Sequence, residues 1–498
     1  MREVVVIGAD ACGATAASAV KRGLGQDVHV LVLERQQWTS YSACGIPYWL
    51  SGEVHGPEGL VARTPEQHRD NGLDLRTGWE VTAIDPGRRT VTAVQASTGA
   101  EHTLGYDDLV IGTGATPTRP RIPGIDLPGV HGVHTLDDGL AVLDSLAQAQ
   151  AQTQVRARAG AEVDSHPDAS GSAASGSIAS GSTASGSTAS PGTADRPRAV
   201  VVGAGYIGIE MAEAMCARGL RTTVIDMAPA PMSTLDPDMG QHIATAMAAL
   251  DITFLGGQQV QRFEAGPQGR VARVVTADSS HEADIVVLGL GVRPNSALAR
   301  AAGLPIGQHG GILTDDHQRV LDHAGIWAGG DCVEVLDRVS GQQVAVALGT
   351  HANKHGRVIG ANISGGDLVF PGIVGTAISK LCDLEVGRTG LREAQAHELG
   401  LDVRSVTITA TTRAGYFPSA EQVTVKMIAE AGTGRLVGCQ IVGGEGAGKR
   451  IDVAAAALWN ELTVEDLTSM DLAYAPPMSP LWDPVQVAAR KLAGMQPG

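Results

Sequence analysis

Two stretches of the chain share a pattern in which an apolar run leads into a glycine turn and then into an alanine-rich segment. They are "EVVVIGADACGATAASAVKRG" at 3–23 and "RAVVVGAGYIGIEMAEAMCARG" at 198–219. An uninterrupted apolar strand is typical of a parallel sheet that is buried on both faces. Both stretches are therefore predicted to be strand–turn–helix units of a dinucleotide-binding fold.

The pattern changes after about residue 366, where apolar and polar residues begin to alternate. Such alternation predicts antiparallel strands with one solvent-facing side, in "VRSVTITA", "QVTVKMIA" and "RLVGCQIV". An amphipathic helix is predicted next, in "GKRIDVAAAALWNEL". The C-terminal region is therefore expected to be a separate α+β domain.

A low-complexity segment separates the two dinucleotide units. From about 147 to 197 the chain consists mainly of Ser, Gly, Ala and Thr, most clearly in "ASGSAASGSIASGSTASGSTASPG". Such a composition buries too little apolar surface to offset its ordering entropy. We expect a flexible and dispensable surface insert here.

Composition and charge narrow the classes of function. The 498 residues, enough for about three domains, carry a formal net charge of −16, which argues against a nucleic-acid or anionic-membrane partner. The six cysteines show no C-x-x-C spacing and are too few for a secreted disulfide scaffold, so a reducing, cytoplasmic location is favoured. No metal site is predicted. Glu3 and Asp10 interrupt the N-terminal apolar run, so no signal peptide is expected. No apolar run is long enough to predict a membrane span.

The second glycine turn has the full G-x-G-x-x-G pattern, at Gly203, Gly205 and Gly208. The first glycine makes the turn, the second lets a pyrophosphate approach, and the third lets helix and strand pack closely. The next strand, "RTTVID", ends at Asp226, which can accept hydrogen bonds from ribose hydroxyls. Because no arginine follows in "DMAPAPM" to bind a 2′-phosphate, NADH is favoured over NADPH.

The first glycine turn departs from this pattern. Gly8 and Gly13 keep their places, but Asp10 stands where the second glycine is expected. Glu34 ends the following strand, "VHVLVLER", where a ribose partner belongs. This turn alone would fit either a nucleotide site or an ordinary tight turn, and the presence of two such units favours the nucleotide site.

Two further strands end in small residues, which leave room for a ligand. They are in "YDDLVIGTGATPTRP" at 106–120 and "GIWAGGDC" at 325–332. Asp331 could accept a hydrogen bond from a ligand hydroxyl, and a helix that begins in "LGTHANKHGR" would point its amino end at the same ligand.

Taken together, these motifs resemble those of the flavin-dependent pyridine nucleotide-disulfide oxidoreductases, and most closely the coenzyme A-disulfide reductase branch. The resemblance covers the chain outside the insert. It is carried by the two glycine turns and by "SYSACGIPY", "TGATPTRP", "GYIGIE", "GVRPN", "IWAGGD", "GKRID" and "AYAPPMSPLWDPV".

The resemblance implies an α/β protein with two Rossmann-like domains and a C-terminal α+β dimerisation domain. It implies a discontinuous FAD-binding domain at 1–117 and 297–362, an NAD(P)H-binding domain at 118–296 that contains the insert, and a dimerisation domain at 363–498. The implied cofactors are FAD and NADH, with NADPH possible, and the implied assembly is a homodimer. The residues implied in cofactor binding are Gly8, Ala11, Gly13, Glu34, Arg35, Ser42, Val81, Thr113, Gly114, Gly203, Gly205, Tyr206, Ile207, Gly208, Glu210, Asp226, Gly291, Asp331 and Thr350.

The family resemblance assigns the redox chemistry to Cys44 in "YSACGIPY". Relatives that resemble glutathione reductase have a C-x-x-x-x-C pair, but position 49 here is Trp49, so Cys44 has no such partner. In the branch concerned, the single thiol lies beside the flavin and alternates between a thiol and a mixed disulfide with coenzyme A. The other cysteines are expected to be structural, as most free cysteines are.

Other roles follow from the same resemblance. Tyr416 and Tyr474 match residues that enter the partner subunit's active site near the leaving thiolate, although ordinary interface packing is the alternative. The candidate coenzyme A contacts are Lys21, Arg22, Ser40, Lys449 and Arg450. For the four basic residues, solvated surface charge is the alternative.

Three other functions stay open. Relatives that reduce peroxide or oxygen carry a histidine in the first glycine turn where this chain has Ala11, which favours disulfide chemistry over NADH oxidase or peroxidase activity. A persulfide or polysulfide reductase shares the same single cysteine. A non-catalytic flavoprotein redox sensor would be reduced by NADH without turning over any acceptor.

Overall fold

Three five-stranded sheets organise the computed structural model, which describes residues 1–164 and 196–495. The strands are β1 (Arg2–Ile7), β2 (Val28–Glu34), β3 (Asp74–Thr77), β4 (Trp79–Asp85), β5 (Thr90–Gln95), β6 (Ala100–Gly105), β7 (Asp108–Ile111), β8 (Ala115–Pro117), β9 (Val130–Gly132), β10 (Arg198–Val202), β11 (Arg221–Ile225), β12 (Thr253–Leu255), β13 (Val260–Ala265), β14 (Val271–Thr276), β15 (Ser280–Glu282), β16 (Ile285–Leu288), β17 (Val292–Pro294), β18 (Ile326–Ala328), β19 (Val335–Leu336), β20 (Gln343–Val344), β21 (Ala377–Leu381), β22 (Leu384–Gly390), β23 (Val403–Thr411), β24 (Gln422–Glu430) and β25 (Leu436–Gly443). The helices are α1 (Ala11–Leu24), α2 (Ile46–Ser51), α3 (Pro65–Asp70), α4 (Leu136–Asp164), α5 (Tyr206–Ala217), α6 (Pro237–Ala249), α7 (Ala297–Ala301), α8 (Gly349–Ile363), α9 (Glu393–Glu398), α10 (Ile451–Trp459), α11 (Val464–Ser469) and α12 (Pro484–Ala493).

The first parallel sheet has the strand order β18-β7-β1-β2-β3. Both of its faces are covered, as its apolar strands predicted. Val4 and Val6 point toward α1 and α8, whereas Val5 and Ile7 point toward the antiparallel strands β4 and β5. Because β18 lies near residue 326, this sheet joins two distant segments of the chain.

The second parallel sheet has the order β12-β11-β10-β16-β9 and repeats this plan. Val201 faces a core formed with α5 and α6, and Val202 faces the antiparallel strands β13 and β14. The two strand–turn–helix predictions therefore correspond to the centres of two similar layered units. The exact domain boundaries stay a prediction.

The C-terminal sheet is antiparallel, with the order β21-β22-β25-β24-β23. The expected strands and helix are present, but the expectation of one solvent-facing side is wrong for β24 and β25, which are almost wholly buried. Both faces are covered. Ile441 packs in a core with α10 and α12, and Val442 packs in the core that contains α6.

A buried lysine links the C-terminal sheet to α6. Lys426 on β24 is 6% exposed, and its Nζ lies 3.2 Å from Asp236, 3.0 Å from Asp238 and 3.1 Å from Glu393. These ion pairs raise the pKa of Lys426 although burial lowers it. The network joins the second parallel unit to the C-terminal domain.

The insert begins later than its composition predicted. Residues 147–164 belong to α4, so the expectation of a flexible segment from 147 is wrong for this part. Alanine, glutamine and arginine favour helix, and Leu146, Ala149 and Thr153 are buried at helical spacing. The remaining low-complexity positions, 165–195, lie outside the described residues. None of the helices in the described ranges is long and apolar enough to span a membrane.

Candidate active site

The carboxyl ends of the first sheet's central strands form a crevice with the features of a dinucleotide site. Gly8 follows β1 with φ +96°, and a Cβ there would lie 2.3 Å from the carbonyl oxygen of Gly112. Glu34 ends β2, and its two carboxylate oxygens accept hydrogen bonds from the amides of Ala9 (2.8 Å) and Gln36 (2.9 Å). The carboxylate is thereby fixed beside the turn, where its remaining lone pairs can accept from ribose hydroxyls.

The other side of this crevice fits the rest of a flavin nucleotide. Burial alone raises the pKa of Asp331, after β18, to about 6, so a hydroxyl donor would stabilise its charged form. A Cβ at Gly114 or Gly349 would meet no atom within 4 Å, which leaves open space at the end of β7 and at the start of α8. The residues present therefore fit FAD.

Asp10 makes this turn different from an ordinary phosphate-binding turn. It is the residue before α1, and the backbone amides of Ala11 and Tyr41 lie near its carboxylate. Burial and the charge of Glu34 together raise the pKa of Asp10 to about 6, although the backbone amides of Ala11 and Tyr41 lower it. The sequence marked Asp10 as a departure from the glycine pattern, but nothing in the pattern indicated its contact with Tyr41.

The second sheet carries a matching crevice with the complete glycine pattern. Cβ atoms at Gly203 and Gly208 would lie within 2.4 Å of backbone oxygens, whereas a Cβ at Gly205 would meet no atom within 4 Å. The middle glycine thus leaves the room that a pyrophosphate needs. Asp226 accepts hydrogen bonds from the amides of Ala204 (2.5 Å) and Ala228 (2.7 Å), as Glu34 does in the first unit.

Cys44 lies on a loop that is attached to the first glycine turn. We call residues 40–44 the cysteine loop. The Ser40 amide donates to the carbonyl of Ala9 (3.1 Å), and the Ser42 amide donates to the carbonyl of Leu60 (2.9 Å). Cys44 sits in a 3₁₀ turn directly before α2 and is exposed. Its thiol therefore opens near the carboxyl edge of the first sheet.

The other cysteines are less accessible than Cys44. Cys12, Cys332 and Cys439 are buried, Cys216 and Cys382 are half-buried, and all six, which lie within the described residues, are free. Trp49 is buried on α2, and its ring packs against Gly139 of α4. Cys44 is thus the exposed thiol of the described chain.

The protein's own charges oppose ionisation of this thiol. Desolvation by surrounding protein atoms raises the pKa of Cys44, and the carboxylates of Glu210 and Asp331 raise it further. Burial raises the pKa of Glu210, on α5, to about 7 in spite of a hydrogen bond from Ser379 Oγ (2.9 Å), which lowers it. A stable thiolate at neutral pH therefore needs an additional stabilising group.

The helices around Cys44 are joined to the C-terminal domain. Lys380 of β21 lies 3.6 Å from both Glu53 and Glu213, and its Nζ lies 5.3 Å from the centre of the Tyr48 ring. At the first turn of α5, Arg388 of β22 donates to the hydroxyl of Tyr206 (3.3 Å). These contacts, which sequence patterns did not indicate, fix α2 and α5 relative to β21 and β22.

The two predicted tyrosines come together on the C-terminal domain. Tyr416 is 77% exposed and Tyr474 is 46% exposed, and desolvation and the neighbouring Tyr416 raise the pKa of Tyr474. Further exposed apolar side chains follow Tyr474 in the sequence, at Met478, Leu481 and Trp482. An apolar surface of this kind marks an interaction site.

The predicted coenzyme A contacts differ in their availability. Arg22 is exposed, Lys21 donates to the carbonyl of Val28 (3.2 Å), and exposed Lys449 pairs with Asp452. Arg450 is the most engaged of them, because its guanidinium pairs with Asp483 (3.0 Å) and donates to the carbonyls of Thr412, Gly446 and Met478. Its assignment as a phosphate contact stays a prediction.

The remaining predicted residues lie at varied positions. Four of them are exposed: Arg35, Ser42, Gly291 after β16, and Thr350 in the first turn of α8. Three lie in secondary-structure elements: Ala11 begins α1, Val81 lies on β4, and Ile207 lies in the first turn of α5. Thr113 follows β7, and its hydroxyl donates to the carbonyl of Asn295 (2.7 Å). Their contacts with a cofactor stay predictions.

The fold and the two crevices match a known class of protein. Residues 2–356 match the pyridine nucleotide-disulphide oxidoreductase family, and residues 376–484 match the dimerisation domain of that family. The chain belongs to this family of oxidoreductases, and the α/β architecture with a C-terminal dimerisation domain is confirmed.

Individual relatives place the chain more closely. It is 33% identical to the NAD(P)H coenzyme A polysulfide/persulfide reductase of Pyrococcus horikoshii, over 99% of this chain and 98% of that protein. It is 31% identical to an NADH oxidase of Methanocaldococcus jannaschii, over 97% of each chain. The solved structure of an NAD-dependent persulfide reductase from A. fulgidus has a TM-score of 0.87 and 34% identity, and covers 99% of this chain and 83% of that one. The sequence-based resemblance to the coenzyme A-linked branch is confirmed.

Proposed function

We propose that this protein transfers electrons from NADH through FAD to Cys44, and that Cys44 reduces coenzyme A disulfide or a related coenzyme A-linked persulfide. One observation carries the proposal: an exposed thiol without a second cysteine nearby on α2 is attached to the turn of the first dinucleotide crevice. The coenzyme A polysulfide/persulfide reductase relative supports the choice of acceptor.

The thiol chemistry follows from disulfide exchange. The Cys44 thiolate attacks one sulfur of the acceptor disulfide, so the acceptor S–S bond breaks, one thiolate leaves, and a mixed disulfide with Cys44 forms. Two electrons from NADH then break the mixed disulfide and release the second thiolate, and protons complete the two product thiols. FAD, when bound, supplies the two-electron relay and an electron-poor face beside the thiolate. The chain supplies the fixed loop that presents the sulfur.

The substrate's phosphates require basic partners. Lys21 and Arg22 lie at the end of α1, and the partner subunit would contribute its copy of Lys449. Ser40 is half-buried and is the first residue of the cysteine loop, four residues before Cys44. We propose Lys21, Arg22, Ser40 and Lys449 as coenzyme A contacts.

A homodimer completes the site in this proposal. The exposed apolar surface around Tyr416 and Tyr474 belongs to the part of the chain that matches the family's dimerisation domain. From the partner subunit, either phenol could donate a proton to the leaving thiolate. The net charge of −16 and the free cysteines support a small-molecule partner, no nucleic-acid or membrane partner, and a cytoplasmic location.

An NADH oxidase is the second candidate, because the Methanocaldococcus jannaschii relative has that name. Ala11 stands where oxygen- or peroxide-reducing relatives have a histidine, which favours disulfide reduction. A non-catalytic redox sensor would be reduced by NADH but would not be reoxidised by any of the acceptors.

The Cys44→Ser variant tests the proposal. It should bind FAD and accept electrons from NADH, because those functions depend on the two crevices, but it should lose turnover with coenzyme A disulfide, polysulfide and coenzyme A persulfide. Cys216→Ser is the matched control and should keep wild-type turnover. Wild-type rates in Cys44→Ser would refute the thiol mechanism, and turnover with oxygen alone would establish the oxidase.

A further inference from the structure

The cysteine loop contains a backbone conformation that serine rarely adopts. Ser40 has φ +46°, in the left-handed region that disfavours a side chain. Its amide donates to the carbonyl of Ala9 (3.1 Å), and its carbonyl accepts from the amide of Ala62 (2.8 Å). Such a conformation persists only where the surrounding contacts determine it.

A buried histidine supplies the first of these contacts. His68 on α3 is 2% exposed, and its Nε2 lies 2.9 Å from Ser40 Oγ. Burial and the charge of Arg63 together lower the pKa of His68 to about 4, so the imidazole is neutral at neutral pH. Thr64 and Gln67 form a capping box that fixes the first turn of α3. His68 therefore holds the Ser40 hydroxyl from a rigid element.

The second contact comes from the residue that departs from the glycine pattern. Asp10 follows Ala9, whose carbonyl accepts from the Ser40 amide, and its carboxylate lies near the amide of Tyr41, the residue after the left-handed turn. A half-buried carboxylate whose pKa is raised by the charges of Glu34 and Asp331 is costly, and the second unit has Gly205 at the corresponding place. A glycine at this place could not place a carboxylate beside the Tyr41 amide.

We propose that Asp10 and His68 are positioning residues for Cys44. They act from opposite sides of the cysteine loop, Asp10 from the first glycine turn and His68 from α3. Together they stabilise the left-handed turn at Ser40, which sets the direction of the loop that ends at Cys44. The consequence for catalysis rests on the proposed function, whereas the effect on the loop does not.

Two pairs of variants test whether the polar atoms of Asp10 and His68 hold the cysteine loop. Asp10→Asn keeps an acceptor oxygen and Asp10→Gly removes it, while His68→Gln keeps polar atoms and His68→Leu removes them. In FAD-loaded protein, Asp10→Gly and His68→Leu should increase amide hydrogen exchange in residues 40–42 by about tenfold or more. Both should lower kcat for coenzyme A disulfide and leave KM for NADH unchanged. Asp10→Asn and His68→Gln should restore both properties toward wild type.

Matched controls and contrary outcomes make the test decisive. Asp27→Gly, beyond the other end of α1, and His309→Leu, on an exposed loop, should leave exchange in residues 40–42 unchanged. Wild-type exchange in both Asp10→Gly and His68→Leu would overturn the proposal, as would equal losses in Asp10→Asn and Asp10→Gly. If Asp10→Gly fails to fold, the His68 pair still decides. Faster exchange with normal kcat would overturn the positioning role, and Cys44→Ser tests the proposed function separately.

Discussion

Replacing Asp226 by asparagine and Met227 by arginine should change the cofactor preference from NADH to NADPH. The amides of Ala204 and Ala228 hold the Asp226 carboxylate in place, so it cannot move away from a 2′-phosphate. Two unit charges at about 4 Å repel by about 1 kcal/mol in water and about 4 kcal/mol at an effective dielectric constant of 20. The expected wild-type preference for NADH is therefore about fivefold to several-hundredfold.

The structure also explains why position 227 suits the new cation. Met227 is 66% exposed, so an arginine there needs no repacking and can bind a phosphate with two hydrogen bonds. The assay is the ratio of kcat/KM for NADH and NADPH with one acceptor, at low and high salt. Because part of the repulsion is screened, the ratio should shrink as salt increases.

A control and two results decide this prediction. Asp251→Asn changes an exposed acid of the same unit and should leave the ratio unchanged. Equal wild-type efficiency with both nucleotides would refute the role of Asp226. A double variant that still prefers NADH would refute the assignment of this crevice to the nucleotide's ribose.

Three further predictions concern stability and the thiol. Lys426→Met leaves three carboxylates without their cation and should lower the free energy of unfolding by about 3 to 5 kcal/mol, measured by denaturant titration. Because its partners raise the pKa of Lys426, its stabilising contribution should persist below pH of about 10 and be lost as the pH rises through the raised pKa. An unchanged denaturation midpoint in Lys426→Met would contradict this prediction. Deleting residues 165–195 should leave flavin content and thermal stability near wild type. Deleting residues 147–197 should lower both, because Ala149 and Thr153 are buried. Equal flavin content and stability in the two deletion variants would contradict this prediction. In the apoprotein, Glu210→Gln should lower the pKa of Cys44, so that iodoacetamide alkylation begins at a lower pH; an unchanged profile would show that Glu210 does not influence the thiol.

The sequence was most informative where local rules determine the structure. The apolar strands and glycine turns predicted both crevices, and Glu34 and Asp226 lie at the ends of their strands as expected. In each case the acid accepts a hydrogen bond from the second residue of the neighbouring turn, Ala9 or Ala204. These features depend on spacing along the chain, which the sequence displays directly.

The features that the sequence did not reveal concern residues whose partners are distant in sequence. Val442 is buried because α6 covers its face of the C-terminal sheet, and no alternation within β25 reveals that cover. Arg450 is occupied by acceptors at 412, 446, 478 and 483, which only the folded chain brings together. His68 gave no signal, because a single histidine in a short helix has no motif around it. Such contacts depend on the tertiary structure.

The pairing of β7 with β18 has a consequence for how the protein is made. About 200 residues separate these neighbouring strands, so at 5 to 20 residues per second a ribosome needs about 10 to 40 s to deliver β18 after β7. During that interval the edge of β7 has no partner, and α1 lacks the helix α8 that packs on it through Gly356 and Gly360. The second parallel sheet, whose strands lie between them, is complete before the first. The nascent chain therefore presents an open sheet edge, which is a template for pairing with another chain, until β18 is made.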